Sequence, residues 1–336
     1  MSEREHRLHI VVAEEDVGAL RRAVARMSAG RPGLRPGVAE LVATELGTNL
    51  VRHARPGGGH VLARATGDGI ELISVDRGPG MSYADLPRAV AAPPYRGGGL
   101  NAGLGVVRSN SAEFDCYSTR GGTVVYARLG ADAPAGGSGW RCGGVNVPLG
   151  GDGESGDAWA VAPDRRLAAL VVDGLGHGPA ASLASRAAVA AFDDGPVTDL
   201  GGLVKHAHEA MRGTRGGVLG VCLIDPGSGE FTYAAVGNIT GRVLTGGRTA
   251  HHLLDRPGTL GTHLPVPSTR LQQGRWEPGS VLVLTSDGIR SGWNLDDHPR
   301  VLEHHPAIVA AVVHRDFARP TDDATVLVVR ASGGVP

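Results

Sequence analysis

Lysine is almost missing from this chain. Lys205 is the only one, so nearly every basic side chain is arginine. With a formal net charge of -1 and no basic stripe, the arginines reflect composition and not a nucleic-acid surface, and nucleic acid is not an expected partner. Aromatic residues make up only 4 % of the chain against 53 glycines, which favours a loop-rich α/β or α+β protein. Cysteine is scarce too. Cys116, Cys142 and Cys222 lie far apart, odd in number and without CxxC or Cys/His spacing. That excludes a disulfide framework and a zinc ribbon, and leaves buried small residues of a reducing compartment. The neighbouring pairs His251-His252 and His304-His305 are expected in solvated loops, because adjacent side chains diverge on most backbones. No apolar run approaches the roughly 20 residues that cross a bilayer. The N-terminal MSEREHRLHIVV is charged and lacks the apolar centre of a signal peptide. A soluble, cytoplasmic protein without a membrane partner is the expectation.

What is present is enough for two cores. The 336 residues, 41 % of them hydrophobic, exceed the usual size of one domain. The segment ADAPAGGSG, residues 131–139, mixes Pro, Gly, Ala and Ser without apolar period and is expected as a linker between domains at 1–130 and 140–336. Before it, Leu8–Val12 is expected as a strand, Val17–Met27 and Pro36–Ala54 as helices. Val61–Ala65 with Ile70–Val75, and Phe114–Ser118 with Thr123–Leu129, read as hairpins. Two helices on a mixed sheet make an α/β sandwich. After the linker, strands outnumber helices, with helices expected at Ala180–Phe192, Leu200–Arg212 and Ala307–His314. That pattern suggests an α+β sandwich of two or four layers.

In the first half, ELVATELGTNLVRHA sets Glu45 and Asn49 one helical turn apart on one face. A carboxylate beside an amide oxygen there can orient a nucleophile and hold a phosphate-bound Mg²⁺. Then ELISVDRGPGM runs an apolar strand into Asp76 and the turn Gly78-Pro79-Gly80. A carboxylate at a strand end can accept a hydrogen bond from the exocyclic amine of adenine, and the glycines let backbone approach a flat ring. Gly97 to Gly105 follow as a glycine-rich stretch suited to cradling phosphates ahead of a helix. It follows a loop and not a strand, so a Rossmann reading fails its context.

In the second half, apolar strands repeatedly meet aspartate. GESGDAWAV places Asp157 before one strand, LAALVVDGLGHG ends another at Asp173-Gly174, SVLVLTSDGIRSGW repeats the design at Asp287-Gly288, and RPTDDATVLVV sets Asp322 and Asp323 before the last. One Asp-Gly is a turn. Repetition at rigid strand ends is different: carboxylates that converge repel without a cation, and all-oxygen donors suit Mg²⁺ or Mn²⁺. Asp152 competes with Asp157 for the first position, and Asp157 is preferred because the apolar strand starts directly after it.

Taken in order, the first set of motifs resembles the Bergerat-fold ATPases, the family of histidine kinases, gyrase and MutL, over residues from about 8 to 129. Within that family it is most similar to the small serine kinases that phosphorylate STAS-domain partners in bacterial sigma-factor control. The resemblance implies ATP as ligand, Glu45 as general base, Asn49 as Mg²⁺ ligand, Asp76 with Gly78 and Gly80 at adenine, Gly103 and Gly105 on a phosphate loop, and Thr123 supporting the adenine pocket. The second set, from about Trp140 to Arg330, resembles the PP2C-like phosphatases of the SpoIIE type, an α-β-β-α sandwich. It implies Asp157, Asp173, the Gly174 carbonyl, Asp287 and Asp322 around two Mg²⁺ or Mn²⁺ ions, with Asp173 central to catalysis. Asp323, where many relatives carry Asn, becomes an additional metal contact or a support behind the ligands. Glu154 is a lesser contributor, and GNITG (Gly237, Asn238) and Gly258 to Gly261 fit the family's loops. His177 either protonates a leaving serine oxygen or caps the following helix, the capping role being preferred. Together the halves imply a switch protein that adds and removes phosphate on a STAS-domain antagonist or stressosome-like partner. Phosphatase gated by an ATP sensor, or a scaffold binding such a protein or a sigma factor, are the alternatives.

Overall fold

A computed structural model describes residues 4–82, 85–91, 102–130, 139–262 and 266–332. The first strand, β1 (Arg7–Val11), ends where Asp16 turns its carboxylate back to accept the N–H groups of Val12 (3.0 Å) and Ala13 (2.9 Å). These bonds and the acidic first turn stabilise the start of α1 (Glu14–Ser28), whose Val17, Leu20 and Val24 form one buried stripe. α2 (Val38–His53) lies across it with Leu46 and Leu50 buried. A Cβ on Gly47 would stand 3.3 Å from Val17 Cγ1, so glycine sets the close crossing. β2 (Gly59–Thr66), β3 (Gly69–Asp76), α3 (Leu86–Ala91), α4 (Ala102–Ser109), β4 (Glu113–Thr119) and β5 (Gly122–Leu129) follow.

The sheet runs β1-β2-β3-β5-β4, and every pair is antiparallel. This corrects the expected mixed sheet: both hairpins turn within two residues, and the chain returns to β3 through β5 in the opposite sense. One face packs on the helices through Val61, Leu72, Val125 and Leu20. Gly103 and Gly105, expected on a phosphate loop, lie inside α4 instead. Packing overrides glycine's poor helix propensity there: a Cβ on Gly103 would stand 3.0 Å from both Asn49 Oδ1 and Glu45 Oε2. Of the expected stretch from Gly97, residues 97–101 lie outside the described residues.

The second half forms β6 (Trp140–Val147), β7 (Asp157–Pro163), β8 (Leu167–Gly174), α5 (Pro179–Asp193), α6 (Leu200–Ala210), β9 (Gly217–Asp225), β10 (Glu230–Val236), β11 (Thr240–Thr245), β12 (Arg248–Leu253), β13 (Gln272–Arg275), β14 (Val281–Thr285), α7 (Pro306–Phe317) and β15 (Ala324–Ala331). Two sheets of five strands, ordered β13-β10-β9-β8-β7 and β12-β11-β14-β15-β6, face each other. Between them lie Val171, Cys222 and Tyr233 of one and Leu282, Leu284 and Leu327 of the other. Helices α5 and α6 cover the outer face of the first sheet with Ala184, Ala188, Phe192 and Val204, while α7 packs on β6 and β15. The result is the α-β-β-α arrangement. β8 is apolar on both faces because a layer lies on each side of it.

Strands β6, β12 and β13 were not among the expected elements. The histidine pairs are corrected as well. His251 and His252 are in β12, with the His251 ring 5.2 Å from that of Phe231. His305 is the buried N-cap of α7, its Nδ1 accepting the Ala307 N–H. Two compact units result, His6–Ala135 and Gly136–Pro336, with Arg4 and Glu5 grouped with the second. The expected connector, residues 131–139, lies outside the described residues apart from Gly139. Among the described residues no helix is long and apolar enough to cross a membrane.

Candidate functional site

The antiparallel register of β7 and β8 sets Asp157 directly opposite Asp173, so both carboxylates project from the same face at one end of the first sheet. The second sheet delivers Asp287 two residues beyond β14 and Asp322 two residues before β15. These strand ends are locked together, with Ser286 N–H donating to Thr325 O (3.1 Å) and Thr325 N–H to Ser286 Oγ (3.0 Å). Asp287 Oδ2 accepts from Asn238 Nδ2 at 2.7 Å. Asp157 is 3 % exposed, and its Oδ2 has no hydrogen-bond partner among the described residues.

Burial drives the electrostatics of this cluster. The Asp173 carboxyl is pushed far up by burial and then by the charges of Asp157, Asp287 and Asp322, and it shares a hydrogen bond with Asp287. Asp157 is raised by burial and by Asp323 and Asp287, against the opposing pull of the Ser286 and Thr325 hydroxyls. Asp322 is raised in the same way, burial first and Asp287 next, while His177 pulls it down. Without a counter-charge the acids are relieved by holding protons. Among the described residues no three His, Cys, Asp or Glu side chains close around a point that could hold an ion. The donors nevertheless fit a hard divalent cation, since all are oxygens and a buried carboxylate oxygen of Asp157 is unsatisfied.

Asp323 stands apart from this group. It is 3 % exposed, and its two oxygens accept the N–H groups of Leu149 and Gly156, each at 2.7 Å. Both oxygens are thereby engaged by backbone, as a support behind the ligands would be, with lone pairs left over on each. Asp152 is exposed and bonds the Gly153 N–H, whereas Asp157 is buried at the strand start. Glu154 faces Arg186 at 3.3 Å. The capping expectation for His177 is corrected: the N-cap of α5 is Gly178 without a side-chain cap, and His177 is exposed. Gly174 admits no side chain, because a Cβ would collide with the Ala181 carbonyl. Asn238, Ser286, Thr325 and Asn146, whose Nδ2 donates to the Asp157 carbonyl at 2.9 Å, were not read as site residues from the sequence. The Ser preceding Asp287 and the Asn in GNITG were the available signals.

In the first unit a cavity of about 240 Å³ opens between α2, α4 and the sheet. Leu46, Leu50, Met81, Leu104 and Val125 give it apolar walls, and Asn49, Asp76 and Thr123 supply the polar points. Asp76 Oδ1 accepts from Gly78 N–H (2.7 Å) and Thr123 N–H (3.1 Å), which fixes the carboxylate. Thr123 Oγ1 shares a hydrogen bond with Ser118 Oγ (2.8 Å), which accepts the Met81 N–H (2.7 Å). Gly80 lines the cavity at φ 66°, while Gly78 packs behind Asp76 against Ala54 and not on the wall. Glu45, Gly103 and Gly105 are not on the wall, though Glu45 and Asn49 share the same turn against α4. Apolar walls with one fixed carboxylate suit a purine with an exocyclic amine.

A sandwich with carboxylates at the meeting ends of two sheets in one unit, and a cavity walled by helices and an antiparallel sheet in the other, define a PP2C-type fold joined to a histidine kinase-like ATPase domain. The chain belongs to the family described as Stage II sporulation protein E (SpoIIE), whose model matches residues 163–332, half of the chain. The histidine kinase-like ATPase domain model matches residues 10–129. A curated relative, the phosphoserine phosphatase RsbX of Bacillus subtilis (strain 168), is 26 % identical over 135 residues, covering 38 % of this chain. The match spans 63 % of that relative's length. Among solved structures, one described as "The bacterial stressosome: a modular system that has been adapted to control secondary messenger signaling" is 29 % identical with a TM-score of 0.52, covering 57 % of this chain and 99 % of that one. RsbX in complex with magnesium is 20 % identical at a TM-score of 0.48, covering 57 % and 96 %.

Proposed function

We propose that the second unit is a Mg²⁺- or Mn²⁺-dependent protein phosphatase for phosphoserine or phosphothreonine, and that the first binds ATP and transfers phosphate to a serine of the same partner. The observation that carries the phosphatase reading is the delivery of Asp157, Asp173, Asp287 and Asp322 to the meeting ends of two different sheets, close enough that the other three raise the Asp173 carboxyl. Asp157, Asp173, Asp287 and Asp322 with the Gly174 carbonyl would hold the cations. When bound, these supply positive charge to the phosphoryl oxygens. Asn238 keeps Asp287 turned into the site, and Asp323 holds the backbone ahead of Asp157. His177, exposed and near enough to Asp322 to lower its pKa, would give a proton to the departing serine oxygen.

In the first unit Asp76 and Thr123 would hold adenine, Asn49 the phosphate-bound Mg²⁺, and Glu45 would act as base. A second reading, an ATP sensor gating the phosphatase, is favoured by the position of Glu45 off the cavity wall. The partner is a STAS-domain or stressosome-like protein of a bacterial partner-switching pathway, or a sigma factor bound by it, in the cytoplasm. The test is incubation with candidate STAS proteins. Asp173→Asn should abolish metal-dependent phosphate release, and unchanged release refutes the site. Glu45→Ala should abolish transfer from ATP. Wild-type protein that binds ATP but transfers nothing supports the sensor.

A further inference from the structure

The loop between α6 and β9 brings an unassigned cation to the rim of the acidic site. Strand β9 begins with Gly217 paired to Gly174 and Val218 paired to Asp173. One step further Leu175 N–H donates to Gly216 O at 2.9 Å, so Arg215 falls opposite Gly176 where the ladder opens. Arg215 Nη1 stands 3.1 Å from the point a Cβ on Gly176 would occupy, and Gly176 has φ 87°. Any side chain at 176 would therefore press on the guanidinium.

The backbone that carries Arg215 is well held. Thr214 Oγ1 donates to Met211 O (2.6 Å) and accepts the Gly216 N–H (3.0 Å). Gly216 lies at φ 76°, and a Cβ there would strike the Leu260 carbonyl. The side chain is exposed and forms no ion pair among the described residues. Arg186, a second arginine near the acids, is already engaged by Glu154 at 3.3 Å. Leu175, 43 % exposed, flanks the same turn.

Charge gives Arg215 a task. Four carboxylates would be matched by two divalent cations, and a phosphate monoester then arrives as a dianion with three acceptor oxygens. A guanidinium meets such an oxyanion through parallel N–H donors. We propose that Arg215 binds the phosphoryl group of the substrate at the mouth of the site. This rests on the phosphatase reading of the acidic cluster.

The full chain, Arg215→Ala, Arg215→Lys and the control Arg166→Ala are compared with Mn²⁺ saturating. Arg166 sits at the far end of β8 and pairs with Asp225, away from the acids. Two substrates are used, p-nitrophenyl phosphate and a phosphoserine STAS protein, and inorganic phosphate binding is measured separately by calorimetry. The expectation for Arg215→Ala is a rise in KM of about tenfold for both substrates with kcat within about twofold, and a matching loss of phosphate affinity. Lysine restores part of it, and Arg166→Ala changes neither. Unchanged KM and phosphate affinity overturn the proposal. A rise confined to the phosphoprotein overturns it too, because it assigns Arg215 to acidic residues flanking the phosphoserine. If wild-type protein hydrolyses neither substrate, the phosphatase reading fails, while phosphate affinity with and without Arg215 still decides the binding role.

Discussion

Replacing Asp323 with alanine removes in one step the acceptor for two backbone N–H groups, the buried one of Gly156 and the half-buried one of Leu149. The Leu149 and Gly156 donors, each 2.7 Å from a carboxylate oxygen, would be left without it. A buried donor left unsatisfied costs about 1–3 kcal/mol. The two donors give about 2–6 kcal/mol, reduced by the partial exposure at Leu149 and by the relief of Asp157, which Asp323 repels. For a unit of this size that corresponds to a drop of roughly 5–20 °C in midpoint. The assay is simple because all four tryptophans, Trp140, Trp159, Trp276 and Trp293, belong to the second unit, so tryptophan fluorescence follows its unfolding alone. Asp323→Asn keeps one acceptor but sets an NH₂ against the other N–H, so its loss should be the smaller of the two. Loosening of Gly156 and Asp157 should also weaken Mn²⁺ binding. A midpoint unchanged within about 1 °C for both variants refutes the reasoning, since the two hydrogen bonds would then contribute nothing net.

Two further outcomes follow from the electrostatics and one from the cavity. Asp173 has a folded pKa raised to about 9 in the absence of a cation, against an unfolded value near 3.9. Between these values the unfolded chain holds fewer protons, so the cation-free second unit loses stability as pH rises from about 4 toward 9. Stabilisation by Mn²⁺ should therefore be larger at pH 8 than at pH 6 in tryptophan-fluorescence melts against chelator, and a pH-independent shift contradicts this. Glu71 is fully buried, yet its carboxyl is held far below the usual range: burial raises it, but Arg64 at 2.6 Å and His6 at 3.0 Å outweigh that. Glu71→Gln should destabilise the first unit by about 3–5 kcal/mol at pH 7 in urea unfolding, with the difference shrinking as pH falls below 4; equal stabilities at pH 7 would count against the ion pair. Asp76→Ala should lower ATP affinity at least about tenfold by calorimetry, through loss of a charged acceptor, and retained affinity would move adenine elsewhere.

The acidic positions were legible because strand ends announce themselves: apolar runs stop at Asp173 and before Asp287, and one begins after Asp157. What places those acids relative to each other was not. Asn238 reaches Asp287 across 49 residues, and Arg215 meets Gly176 only because β8 and β9 pair in that register. Strand β6 was hidden by Gly143 and Gly144, which read as loop. In the fold Gly144 lies where a Cβ would stand 2.6 Å from the Trp159 ring, and Gly143 lies against α7. Gly103 misled in the same way, since a tight approach to Glu45 and Asn49 of α2 favours glycine inside the helix that also holds Gly105. Local glycine signals turning, whereas in these places close packing decides.

The most direct test of the account follows the mass of a purified phosphoserine STAS protein after addition of the full chain, with Mn²⁺ present or chelated and no ATP. The account predicts loss of one phosphate per serine with Mn²⁺ and none with chelator. Phosphate retained under both conditions, or lost equally in both, would contradict it.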